Sequence, residues 1–123
     1  MNALDIIIVS FNAANDLERC LLSLNAHPPS GKHEVIVVDN ASSDNNVVRV
    51  CEKWPNVRII PLSNNVGFAE GCNIGFAHTQ APLVLLLNPD TVVPEGALDR
   101  LVDALISDDE CAVAGPRLVD GAG

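Results

Sequence analysis

Four short apolar runs recur along the chain, separated by segments of helical period, and this alternation constrains the fold more than any other feature. The runs are Asp5-Ile6-Ile7-Ile8-Val9, Val35-Ile36-Val37-Val38, Val57-Arg58-Ile59-Ile60-Pro61-Leu62 and Leu83-Val84-Leu85-Leu86-Leu87. Runs with little polar alternation read as strands buried on both faces. Between them, Leu17, Leu21, Leu22 and Leu24 give one helix an apolar face, and Leu98, Leu101, Val102, Leu105 and Ile106 give another. Strands alternating with amphipathic helices predict an α/β fold, a three-layer α/β/α arrangement around a mainly parallel sheet.

Punctuation residues set the expected boundaries. Asn15 with Glu18 resembles a capping box at the start of the first helix. Ser42, Ser43 and Asp44 offer caps for a second helix running to Trp54, where Pro55 ends it. Pro61 marks the third strand as lying at or near an edge. Asn64 to Gly67 reads as a turn and Phe68 to His78 as a helix, while Pro94 suits the first turn of the last helix. Ala112 to Gly115 reads as a fifth strand, and Leu118 to Gly123 as a further strand entering a turn. A strand there is an odd end for a domain. The expectation is therefore that residues 1–123 form one half of a larger domain.

Bulk properties narrow the function classes. At 123 residues and 48% apolar composition the chain suffices for one domain with a core. A net charge of −9 argues against nucleic-acid partners. Of the seven basic residues, only Arg117 falls just past an expected strand end. A phosphorylated ligand would then have to be met by backbone N–H groups at helix starts or by a divalent cation. Cys20, Cys51, Cys72 and Cys111 show no C-x-x-C spacing and read as reduced core thiols. No run is long enough to span a membrane and no signal peptide is evident, which predicts a soluble cytoplasmic protein.

The candidate site residues sit at the carboxyl ends of the expected strands, where open α/β sheets bind ligands. Ser10 and Asn12 follow the first strand. Asp39, with Asn40, ends the second. Asp39 either accepts from a ligand N–H or hydroxyl or caps the next helix. Ser10 and Asn12 are open to ordinary turn chemistry as well. Asn88-Pro89-Asp90 directly follows the fourth strand, because Pro89 cannot continue a ladder. The same tripeptide is also a good turn, and Asp90 or Thr91 could cap the following helix. Gly67, Gly71 and Gly75 share one helical face. Gly71 and Gly75 suit close packing on the sheet, and Gly67 suits a positive φ. Asn73 has poor propensity in mid-helix, so it points at a ligand or a strand end.

Taken together, these segments resemble the family-2 glycosyltransferases of the inverting GT-A type. The matching pieces are Ile8 to Asn12, Val37 to Asp44, Asn64 to Ala69, Asn73 to Gly75 and Leu87 to Asp90, in an order covering residues 4 to about 117. The Asn-Val-Gly-Phe-Ala and Asn-Pro-Asp versions are similar to the rhamnosyltransferase-like branch. The resemblance implies a GT-A fold and a nucleotide-sugar donor, a dTDP- or UDP-sugar such as dTDP-rhamnose. It also implies a saccharide or lipid-linked acceptor of polysaccharide biosynthesis. Ser10, Asn12, Asp39, Asn40, Gly67, Asn73 and Asn88 would bind the nucleotide, and Asp90 would ligate Mg²⁺ or Mn²⁺. Asn88 stands where the family's Asp-x-Asp motif usually has Asp, which removes one charge from the metal site.

The resemblance further implies a catalytic base beyond residue 123, so this chain alone would bind donor without transferring sugar. Exposed apolar surface at the expected junction would favour a homodimer, and missing regions could bring the protein to the cytoplasmic face of a membrane. Three other readings compete. A receiver-type signalling domain fits the length but needs an acidic pair where Ser10-Phe11-Asn12 stands. A sugar nucleotidyltransferase needs a basic glycine-rich loop after the first strand. A non-catalytic scaffold of the same fold needs nothing further.

Overall fold

The computed structural model describes residues 2–116. Its elements are β1 (Leu4–Ser10), α1 (Ala14–Ala26), β2 (His33–Asp39), α2 (Asn46–Glu52), β3 (Val57–Pro61), α3 (Phe68–Ala77), β4 (Leu83–Leu86) and α4 (Ala97–Ile106). Among the described residues the strands form one four-stranded sheet in the order β3-β2-β1-β4. All three pairings are parallel, with Ser10 opposite Asp39, Ile7 opposite Leu86 and Val38 opposite Ile60. The mainly parallel three-layer expectation therefore holds.

The alternation of side chains along a strand assigns the two faces. Leu4, Ile6 and Ile8 of β1 join Val35 and Val37 of β2 in the larger core cluster. That cluster takes Leu17, Cys20, Leu21 and Leu24 from α1, Val47 and Cys51 from α2, and Leu98 from α4. Ile7, Ile36 and Val38 face the other way, with Val9, Ile60 and Val84 packed beside them. α3 covers that second face. It can lie close because Gly71 and Gly75 carry no Cβ: one added at Gly75 would stand 2.6 Å from Ile7 Cγ2, and one at Gly71 2.9 Å from Val9 Cγ1.

Several boundaries differ from the sequence expectations. α1 starts one residue before Asn15, with Ala13 as N-cap and no side-chain cap. The capping box does not form, because Glu18 instead accepts from Lys53 Nζ at 2.7 Å. α2 starts at Asn46, where Asp44 Oδ1 accepts the Asn46 N–H at 3.0 Å. Ser42 and Ser43 are committed elsewhere and do not cap. Pro94 lies ahead of α4 rather than in its first turn, and Gly96 at φ 74° is the N-cap.

The run from Leu83 to Leu87 is not buried on both faces. Among the described residues β4 pairs only with β1, and Leu86 is 54% exposed. β3, with Pro61 as its last residue, is the opposite edge, as the proline predicted. Ala112 to Gly115 do not form a fifth strand. They lie with Phe76, Leu86 and Leu105 around an apolar cleft of about 410 Å³ beside β4. The strand expected at Leu118 to Gly123 lies outside the described residues.

Candidate functional site

The strand order locates the site. The chain steps outward from β1 to β2 to β3, then returns to the far side of β1 for β4. That reversal leaves a crevice outside the carboxyl ends of β1 and β4. The ladder continues past the strand ends there: Asn40 N–H donates to the Ser10 carbonyl at 2.8 Å, Leu62 N–H to Asp39 at 2.9 Å and Leu87 N–H to Ile7 at 2.9 Å. These bonds hold Ser10, Asp39 and Asn40 at one sheet edge, and Asn88 follows Leu87 there.

Around Asp39 a polar network links the ends of β1 and β2. Asp39 is buried, and its Oδ1 accepts the Ser42 hydroxyl at 2.5 Å and the Ser42 N–H at 3.2 Å. Ser42 Oγ in turn accepts the Asn12 N–H at 3.0 Å. Asn12 Oδ1 accepts the Ser43 N–H at 2.9 Å and its hydroxyl at 3.1 Å. These contacts hold Asn12 at φ 49°, a left-handed conformation that asparagine tolerates. Asp39 therefore closes a turn and does not cap α2, which begins seven residues later. Its Oδ2 accepts no hydrogen bond from the described residues, so half of the carboxylate can still take a donor.

Ser10 is placed differently. It lies on the same face as Ile6 and Ile8 and is fully buried, and its hydroxyl has no partner among the described residues. Burial pushes the Cys51 thiol up to about 11, with the Asp39 carboxylate adding to the effect. Burial and the Asp90 carboxylate do the same to Cys20, also to about 11. The Asp39 carboxylate is thus within Coulombic reach of Cys51 on α2, and that of Asp90 within reach of Cys20 on α1.

On the β4 side, the Thr91 N–H donates to the Asn88 carbonyl at 3.1 Å, and the Cys20 thiol approaches that same oxygen at 3.9 Å. Asn88-Pro89-Asp90 is therefore a turn, with both polar side chains exposed. Neither Asp90 nor Thr91 caps α4, which starts at Ala97. On the other rim, Gly67 has the positive φ of 85° that its sequence context predicted, and it forms the N-cap of α3. Asn73 is exposed and stands about 200° round the helix from Gly71, on the side away from the sheet. The structure does not bring it to the strand ends.

Some site features escaped sequence reasoning. A polar cavity of about 690 Å³ opens between the starts of α1 and α2, lined by Asn12, Asp16, Arg19, Ser43 and Asp44 among others. Arg19 was not expected at this edge, because it reaches there from the second turn of a helix rather than from a strand end. It pairs with Asp16. Phe11, just past β1, and Phe68, the first residue of α3, are 49% and 57% exposed. Phe11 follows a strand and Phe68 starts a helix, so their location was available from the sequence.

Among the described residues no group of three or more His, Cys, Asp or Glu is arranged to hold a metal. Asp90 is exposed and its carboxylate accepts no hydrogen bond from them. A hard cation such as Mg²⁺ is commonly held by one or two carboxylates together with ligand phosphates. Asp90 fits that partial role and not that of a complete protein cage.

The family model "Glycosyl transferase family 2" matches residues 5–123. An N-acetylglucosaminyl-diphospho-decaprenol L-rhamnosyltransferase of Mycobacterium tuberculosis is 27% identical over 136 aligned residues, covering 99% of this chain and 43% of that protein. An N-acetylglucosaminyltransferase of Bradyrhizobium elkanii is 29% identical, covering 92% of this chain and 65% of the relative. Among solved structures, the mannosyltransferase PcManGT of Pyrobaculum calidifontis, in complex with GDP-Man and Mn²⁺, superposes with a TM-score of 0.78 at 26% identity. That match covers 88% of this chain and 33% of the other. S. aureus TarS 1-349 in complex with UDP-GlcNAc shares the fold, with a TM-score of 0.74 at 24% identity over 85% of this chain and 31% of that one. The chain thus spans 43% and 65% of the two named relatives and about a third of the two solved chains. A receiver domain is set aside by the family match.

Proposed function

The chain belongs to glycosyl transferase family 2, and we propose that it is the donor-binding part of an inverting transferase, holding a nucleoside-diphosphate sugar over the carboxyl ends of β1, β2 and β4. The observation that carries this reading is the pairing of two carboxylates across the switch point. Asp39, with one oxygen still open, lies on one side of the β1 end, and the unengaged Asp90 lies on the other.

In this reading Asp39 Oδ2 accepts a base N–H or a ribose hydroxyl, while Ser42 fixes the carboxylate plane through Oδ1. Asn12 supports that geometry by holding Ser42 and Ser43. Asn88, exposed in its turn, would meet the ribose, and Asn73 would contribute only if the ligand reaches the outer side of α3. Ser10 acts from beneath the site. Asp90, together with the ligand's phosphates, would hold Mg²⁺ or Mn²⁺. Such an ion supplies charge neutralisation to a departing nucleoside diphosphate. The base that deprotonates the acceptor hydroxyl belongs, on this reading, beyond residue 123.

The names of the relatives favour rhamnose or N-acetylglucosamine as the sugar and a saccharide or lipid-linked acceptor, the UDP-GlcNAc complex of TarS favours a UDP-linked donor, and a dTDP-linked donor rests on the rhamnosyltransferase-like motifs alone. Among the described residues no helix is long and apolar enough to cross a membrane. In this reading a lipid-linked acceptor would be met at the cytoplasmic face of a membrane. The apolar cleft beside β4 would be covered by the acceptor-binding half or by a second copy.

Calorimetric titration with UDP and dTDP, with and without Mn²⁺, tests the proposal. Metal-dependent binding lost in both Asp39→Ala and Asp90→Ala is the expected result. Binding that survives both substitutions, or no binding of either nucleotide, would refute a donor site in this chain and leave a scaffold role.

A further inference from the structure

We infer that Asn40 is a positioning residue: it ties the 64–67 loop and the start of α3 to the end of β2, so that nucleotide affinity depends on it although it touches no ligand. This rests on the donor-site reading above. Asn40 is buried, 3% exposed, so it is poorly placed to contact a ligand. Both ends of its carboxamide are already used. Oδ1 accepts the Val66 N–H at 2.8 Å, and Nδ2 donates to the Gly67 carbonyl at 3.0 Å. That carbonyl also accepts the Gly71 N–H at 3.1 Å, the first helical bond of α3. One side chain therefore fixes both the loop and the helix N-cap.

The position of Asn40 in the strand explains why this matters. Successive residues at a strand end face opposite sides of the sheet. Asp39 faces α1 and α2 and holds the Ser42 turn. Asn40 faces α3 and holds the Gly67 loop, and a Cβ at Gly71 would stand 3.8 Å from its Nδ2. The two rims of the crevice are thus set by neighbouring residues, the last of β2 and the first beyond it. The loop needs such a tie. Gly67 sits at φ 85° with open space around it, and its own N–H is satisfied only by the exposed Asn65 Oδ1 at 2.9 Å. Without Asn40, nothing else in these hydrogen bonds connects residues 65–67 to the sheet.

Asn40→Asp is the decisive variant. It keeps the shape and the acceptor for Val66 but replaces the donor to Gly67 with an acceptor facing a carbonyl. A second variant, Val66→Pro, removes the opposite donor from an exposed loop residue and leaves the strand untouched. Both are compared with the unmodified chain by circular dichroism, by exchange of the Gly67 amide hydrogen and by titration with UDP in Mn²⁺. The expected result is a retained fold, Gly67 exchange faster by about tenfold or more, and UDP affinity weaker by about tenfold in each variant. Unchanged Gly67 exchange, or faster exchange with unchanged UDP affinity, would overturn the inference. Failure of the unmodified chain to bind UDP or dTDP would instead refute the donor-site reading, and it shows before any substitution is made.

Discussion

Gly75→Ala tests the packing that sets the site's α3 rim. The new Cβ would meet Ile7 Cγ2 at 2.6 Å, Val38 Cγ2 at 3.2 Å and Ile7 Cδ1 at 3.5 Å. Ordinary carbon contacts lie near 3.5–4.0 Å, so the helix or the strand must move by about 1 Å. Neither neighbour yields easily. Ile7 and Val38 are fully buried in the two central strands, and both are β-branched and stiff at χ1. Overpacking of this kind costs about 1–3 kcal/mol. Against it stands the helix propensity of alanine over glycine, about 1 kcal/mol. A 2.6 Å contact belongs at the severe end of that range, so the net expectation is a loss of about 1–2 kcal/mol, read as a lower urea midpoint at unchanged m-value. Adding Ile7→Ala removes the clashing methyl, so the double variant should lose less than the sum of the two single losses. A Gly75→Ala chain as stable as the parent, or more so, would refute close packing as the reason for this glycine. Gly115, with nothing within 4 Å of its added Cβ, is the neutral control.

Further outcomes follow from buried polar groups. Burial raises the Asp5 carboxyl, but hydrogen bonds from the Ala81 and Gln80 N–H groups and from Asn2 outweigh it, leaving the group below its usual 3.8. Its ionised form therefore stabilises the fold above the unfolded value, and that contribution is lost as pH falls below about 4. Asp5→Asn should flatten the acid limb of a stability-against-pH curve, and an unchanged limb would count against the assignment. Ser10→Ala removes a buried hydroxyl with no partner, so stability should stay level or rise by up to about 1 kcal/mol. A loss above that would mean the hydroxyl has a partner in solution. Cys20 and Cys51 are buried and their thiols are pushed to about 11. A thiol reagent at pH 8 should label Cys72 and Cys111 in the native protein and all four cysteines in denaturant.

Strand positions and sheet type were legible because they depend on local runs: four β-branched or leucine-rich stretches cannot be left in water. Burial of Ser10 was legible too, since it shares parity with Ile6 and Ile8, although a polar residue after a strand invites a surface reading. What the sequence concealed depended on partners far along the chain. Asn15 looked like a cap, but the start of α1 is set by Asn12 bonding to Ser42 and Ser43, 30 and 31 residues away. Asn40 looked like a ligand contact, but its carboxamide is used by Val66 and Gly67, 26 and 27 residues away. The run at Leu83 looked doubly buried, but an apolar run does not say whether a neighbouring strand follows. In each case the residue type was read correctly as polar, turn-forming or apolar, and the missing knowledge was which distant group it meets.

Charge provides the sharpest separation between a donor site and a scaffold. The chain carries −9 overall, and Arg19, the cation at the site's cavity, is already paired with Asp16. A diphosphate placed near Asp90 would meet like charge. At about 6 Å and an effective dielectric constant of about 20, one such pair costs about 3 kcal/mol. Under the donor-site reading a bridging divalent cation reverses the sign of that term, so Asp90 opposes binding without metal and favours it with metal. Asp90→Asn should therefore bind UDP more tightly than the parent in chelator, more weakly in Mn²⁺, and with little difference between the two conditions. Titrations of both chains in each condition decide it. A variant that weakens equally with and without Mn²⁺ would mean that Asp90 shapes its turn and does not hold a cation. A scaffold would show no nucleotide binding in any of the four titrations.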